Sequence, residues 1–259
     1  MPASSPAMFL HLKLEPRHLL GLLGTLVAIE LLMVAIYVAT ALASSPSQIG
    51  VLFNLDEEAN IPAWFSSMQL LLIGLVMLLA AGSPLRGRDG LRGLLMLLGC
   101  AFVFLSMDEA AAVHEKVTTV MSRISWAPRF SGGHGIWMFV YFALAAAALV
   151  VLFRPILRLI RSYPQDVLGV FAGLVILGAG AVGVEAVGYE IVGDNATAGL
   201  KTLQVAAEEF LEMLGGTVIL VATVRFAARE ELPVPRTAHA NTSSPHSATA
   251  GNAVVRPMP

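Results

Sequence analysis

Residues 18–43 read HLLGLLGTLVAIELLMVAIYVATALA, and this stretch decides the fold. One carboxylate, Glu30, interrupts an otherwise apolar run of 26 residues that opens on His18. A helix rises about 1.5 Å per residue, so roughly 20 apolar residues cross a hydrocarbon layer about 30 Å thick. The apolar residues are continuous rather than alternating, which selects a helix over a barrel strand. Five further stretches repeat the pattern: about 63–82, 91–105 (turning polar through Glu115), 135–153, 167–192 and 203–228. The fold class expected is therefore all-α, a six-span transmembrane helix bundle.

Composition agrees with that reading. The chain has 259 residues, of which 56% are hydrophobic and only 13% charged, against about 25% charged in soluble domains. These proportions exclude a soluble enzyme and a disordered chain. A net charge of -2 offers no basic field for nucleic acid. Cys100, the one cysteine, lies within an apolar run and has no partner for a disulfide.

Three regions follow. Residues 1–17 form a short polar N-terminal segment, 18–229 the six-helix transmembrane domain, and 230–259 a tail rich in Pro, Ser, Thr, Ala and Asn. That tail has too little apolar surface to fold and is expected to be disordered. The first apolar run is too long for a signal-peptide core and reads as a retained anchor. Basic residues collect on one side: Lys13 and Arg17, Arg86, Arg88 and Arg92, Arg154, Arg158 and Arg161, and Arg225, Arg229 and Arg236. The positive-inside bias makes this side cytoplasmic, with both termini there. With the Ala, Leu and Arg bias of the chain, the expected location is a bacterial inner (plasma) membrane.

The same topology collects acids on the opposite, extracytoplasmic side. Asp56, Glu57 and Glu58 precede the second span, and Asp108, Glu109, His114 and Glu115 end the third. Glu185 and Glu190 close the fifth, and Glu208, Glu209 and Glu212 open the sixth. An ionised carboxylate well inside the hydrocarbon costs at least about 2.5 kcal/mol, so such groups face the bundle interior and have a partner. Glu208, Glu209 and Glu212 share one helical face, and like charges that close need a cation or protons among them. Asp108 and Glu115, seven apart, share a face if their helix runs that far.

Carboxylates with imidazole suit hard or borderline cations, so a divalent metal ion (Zn, Fe, Mn or Ca) is the expected cofactor. Its expected ligands are Asp108, His114, Glu115, Glu185, Glu208 and Glu212, with Glu209 and Glu109 as proton-transfer groups. The expected function is a membrane-embedded metalloenzyme, hydrolase or oxidase, acting on a lipid or other amphiphile, with membrane lipid as its surroundings. The alternative is a cation- or proton-coupled transporter using the same carboxylates. Outer loop acids that are simply solvated form the plain counter-reading.

Weaker signals remain. Gly178-Ala-Gly180-Ala-Val-Gly183 fits a dinucleotide motif in spacing, but it lies inside an apolar span. With Gly169 and Gly173 it reads as a small-residue face for close helix packing. Residues 154–161 read as a basic amphipathic strip at the inner interface. Glu30, near the middle of the first span, stands apart from the acidic group.

Overall fold

The computed structural model describes residues 14–43, 47–83, 90–131, 134–192 and 196–229. The 230–259 tail and most of the 1–17 segment lie outside the described residues. The described chain forms α1 (Pro16–Ala41), α2 (Gln48–Leu52), α3 (Ile61–Gly82), α4 (Arg92–Ala111), α5 (Val113–Met121), α6 (Ile136–Ser162), α7 (Pro164–Val192) and α8 (Ala198–Ala227). No strand occurs among the described residues. Six of these helices, all but α2 and α5, are long and apolar enough to cross a membrane.

Local chemistry sets the helix starts. Asn60 caps α3, its side-chain oxygen accepting from Ala63 N at 3.0 Å, and Pro62 follows in the first turn. Thr197 caps α8 in the same way through Leu200 N at 3.3 Å, so α8 starts five residues before the apolar run does. α6 continues through Pro155 to Ser162. The basic strip at 154–161 is thus the end of a spanning helix, not a separate interfacial element. Pro155 removes one backbone donor there, a loss a long helix tolerates.

Backbones approach closely at two crossings. A Cβ on Gly74 would lie 2.8 Å from Gly99 O in the α3–α4 pair, and one on Gly173 would lie 2.8 Å from Gly215 O in the α7–α8 pair. Small residues permit this contact, which is what association in hydrocarbon depends on. α8 is the central helix, packed against α1, α3 and α7. Leu70, Ile73, Met77, Phe102, Ile219 and Leu220 fill the middle.

Two helices are weakly held. On α1 only Glu30, Met33 and Tyr37 are buried, and on α6 only Ile136 and Met138, with every residue from 142 to 151 exposed. At the arginine-bearing end, buried Asp166 of α7 pairs with Arg225 Nε of α8 at 2.7 Å and with Nε of Arg229, just past the end of α8, at 2.8 Å. α7 departs from α-helical winding twice, in π turns at Ala179–Val184 and Gly188–Val192 on either side of Glu185–Val187.

Candidate functional site

The loop before α3, the ends of α4 and α7 and the first half of α8 bring their acids to one end of the bundle, where the start of α6 joins them. The first determinant is the break between α4 and α5. The expectation that Asp108 and Glu115 share one continuous helix fails, because Ala112 takes a left-handed conformation (φ 49°, ψ 45°). That conformation costs a non-glycine residue about 1–2 kcal/mol. It is held by local bonds: Ala112 N–H donates to Asp108 O, and Lys116 Nζ donates to Ala111 O. The kink folds α5 back, so that His114 N–H donates to Asp108 Oδ1 at 2.7 Å.

Asp108 is buried and fully engaged. Its Oδ1 also lies 3.4 Å from His114 Nδ1, and its Oδ2 accepts from Tyr141 OH of α6 at 3.1 Å. The imidazole of His114 rests beside Trp137, with ring centres 5.3 Å apart. Nδ1 is thus the ring nitrogen turned to Asp108.

Glu58 completes the group. It sits in the loop before α3, which Asn60 folds by donating to Asn54 O at 2.5 Å and to Glu57 O. Leu55, buried, anchors the same loop. Glu58, His114 and Glu115 each offer a ligand atom, and these atoms lie within 4.8 Å of one another. Among the described residues they are the one such cluster. Burial pushes the Glu58 carboxyl above its ordinary value; His114 and Lys116 oppose this, while Glu115 and Asp108 add to it. For His114 burial pulls downward, but the Asp108 hydrogen bond and the charges of Asp108, Glu109 and Glu58 outweigh it and hold the imidazole above its ordinary value.

Of the six expected ligands, then, His114 and Glu115 fall within the group. Asp108 stands one step behind it, on His114. Glu185 is taken up by Tyr189 OH at 2.5 Å and Trp137 Nε1 at 3.4 Å. Glu208 is hydrogen-bonded to Gln204. Glu212 packs on the π turn of α7, its Cγ 2.9 Å from where a Cβ on Gly180 would sit. The expected proton-transfer pair lies between these sets. Glu109 is hydrogen-bonded to Ser66 and within electrostatic reach of His114, Glu58 and Asp108. Glu209 is within reach of Glu109, Glu208, Asp56 and Glu58. Glu212 in turn feels Glu209, Glu109, Glu208 and Glu185. The acids therefore occupy one region, but they divide into a tight three-ligand cluster and a looser carboxylate ring beside it.

Sequence reasoning placed Glu58 in the acidic group but not among its ligands, with a solvated loop acid as the counter-reading. Its one signal was the acidic run Asp56-Glu57-Glu58 directly before a spanning helix on the acidic side.

The donor set can be tested against a divalent cation. Two carboxylates and an imidazole match Zn, Fe or Mn chemistry. A carboxylate on the non-ligating nitrogen, as Asp108 is on His114, is the usual support for a metal-bound imidazole. The residues fit.

The chain matches the family described as Domain of unknown function (DUF8692) over residues 19–227 and belongs to it. No curated protein and no solved structure matches the chain.

Proposed function

We propose that this member of the DUF8692 family is a membrane-embedded metalloenzyme that holds a divalent cation among Glu58, His114 and Glu115 and acts on a lipid or other amphiphile. The observation that carries the reading is the convergence of three ligand atoms within 4.8 Å, with Asp108 orienting the one imidazole. A cation so held supplies a Lewis acid that activates water or polarises a carbonyl or phosphoryl oxygen. Glu109, beside both His114 and Glu58 and steadied by Ser66, takes up or returns the proton, with Glu209 as the next group in line.

Access follows from the weak attachment of α6. Its first two turns form a wall of the site through Trp137 and Tyr141, while the stretch 142–151 that follows is exposed. A polar head can reach the cluster from the side while an acyl tail lies along α6.

The transport reading draws on Glu30, an acid inside the bundle. A transporter also needs a polar route to the far side. Beyond Gln69 and Thr217 the apolar side chains of Ile73, Met77, Ile219 and Leu220 come before the next buried hydroxyl, Thr223, which favours a one-sided site.

The test is metal content. Protein purified in detergent without chelator should carry near-stoichiometric Zn, Fe or Mn by mass spectrometry. His114→Ala and Glu58→Gln should lose it and Glu185→Gln should keep it. Wild-type protein that is metal-free and takes up none of the three in calorimetry would overturn the reading.

A further inference from the structure

Glu30 lies away from the acidic end, in the middle of α1, and is completely buried (0% exposed). Its Oε1 accepts from Thr217 Oγ1 of α8 at 2.5 Å and from Gln69 Nε2 of α3 at 2.9 Å. Gln69 Nε2 also donates to Thr217 Oγ1 at 2.6 Å. Three spans thus meet in one closed polar triad, each side chain at most 3% exposed.

Two atoms of the triad have no partner: Glu30 Oε2 and Gln69 Oε1. Both are acceptors. Among the described residues no charged side chain acts on Glu30; the groups that do are Thr217 and Gln69. A buried carboxylate without a counter-charge, hydrogen-bonded to an amide whose own buried oxygen has no donor, leaves two costs open at once.

We propose that the Glu30–Gln69–Thr217 triad is a proton-binding site inside the bundle, with the proton on Glu30 Oε2. One proton removes the charge and turns an orphan acceptor into a donor. The carboxylic acid and the carboxamide of Gln69 can then close a two-point ring, each giving one hydrogen bond and taking one. A metal cation would instead need several oxygen ligands and space among them. Here the unpartnered oxygens are only two, Glu30 Oε2 and Gln69 Oε1.

The surroundings give the site a direction. On α3, Ser66 is one turn from Gln69 and is hydrogen-bonded to Glu109 of the acidic region. On α8, fully buried Met213 separates Thr217 from Glu209. Toward the arginine-bearing end, Ile73 and Ile219 close the path. The proton therefore exchanges with the acidic region, through the Ser66 side, and not across the bundle. Glu30 also belongs to the single buried face of α1, with Met33 and Tyr37, so the bound proton is part of what seats α1.

Infrared difference spectroscopy of the full chain in lipid vesicles, wild type minus Glu30→Gln, tests this near neutral pH. The expected result is one carboxylic-acid C=O band that vanishes in Glu30→Gln and shifts in D2O. Gln69→Leu should move that band, and Thr217→Val, which keeps the acid, should retain it. Should Glu30→Gln not fold, the band displacement in Gln69→Leu reads the same group. A difference spectrum showing carboxylate bands in place of the acid band would overturn the proposal. So would a melting temperature that rises with NaCl but not with choline chloride in wild type and is indifferent to both in Glu30→Gln, since a metal cation would then balance the charge.

Discussion

Asp108 and His114 are joined twice across the left-handed turn at Ala112, through the His114 backbone N–H at 2.7 Å and its Nδ1 at 3.4 Å. Asp108→Asn keeps an oxygen for the backbone donor but removes the charge behind the imidazole. Metal affinity should fall about 10–100-fold, the usual effect of losing such a support, with the fold retained. Titration calorimetry reads this directly. Unchanged affinity would detach Asp108 from the site.

The metal-free protein should lose stability as pH rises. Glu58 and His114 both bind a proton more readily folded than unfolded, so the folded state carries more protons and the slope of stability against pH is negative. The Glu58 contribution is full below its unfolded value near 4.5 and is lost as pH climbs through its raised folded value. That of His114 is full below 6.5 and is lost higher still. A divalent cation competes with the same protons, so the stabilisation by added metal should grow over the same range. Melting curves with and without metal test both trends. A metal-free melting temperature that climbs from acid to neutral pH contradicts the assignment.

Two glycines separate packing from nucleotide binding. A Cβ on Gly173 would meet Ile219 Cγ1 at 2.5 Å and Ile219 N at 2.8 Å, while one on Gly178 meets nothing within 4 Å. Gly173→Ala should cost about 1–3 kcal/mol by forcing α7 from α8. Gly178→Ala should be neutral or slightly stabilising, within about 1 kcal/mol. Equal sensitivity of the two in unfolding assays would argue against the packing role.

At the other end of the bundle, Asp166 has two partners, Arg225 on α8 and Arg229 just past its end. Either arginine alone can still compensate the buried carboxylate. Arg225→Met and Arg229→Met should each cost about 1 kcal/mol or less, since both guanidiniums are partly exposed. The double variant strands Asp166 and should cost about 3–5 kcal/mol, well beyond the sum. Additive losses in a double-mutant cycle would show that Asp166 does not depend on either.

The spans were legible because hydrocarbon thickness imposes a length that any apolar run must meet. The small-residue face was legible in part: Gly169, Gly173 and Gly180 lie close against α8, while Gly178 and Gly183 meet nothing within 4 Å. What pattern could not supply was the places where the backbone leaves its regular course. Ala112 has no chemical mark of a left-handed residue. Its conformation is fixed by Asp108 and Lys116 around it, so the meeting of His114 with Asp108 had no counterpart in helical arithmetic. Glu58 depends likewise on how Asn60 ties a loop. The Tyr189 bond to Glu185 follows from a spacing of four along one helical face, but the Trp137 bond from α6 is a contact no local pattern encodes.

The π turns of α7 bear on any alignment of related chains. Each wide turn accommodates an extra residue relative to regular winding, and the first, Ala179–Val184, directly precedes Glu185. A relative shorter by one residue in that stretch would wind evenly and present the following positions rotated by about 100°. A gap there is thus not a harmless length variant, since it would swap which side chain faces Trp137.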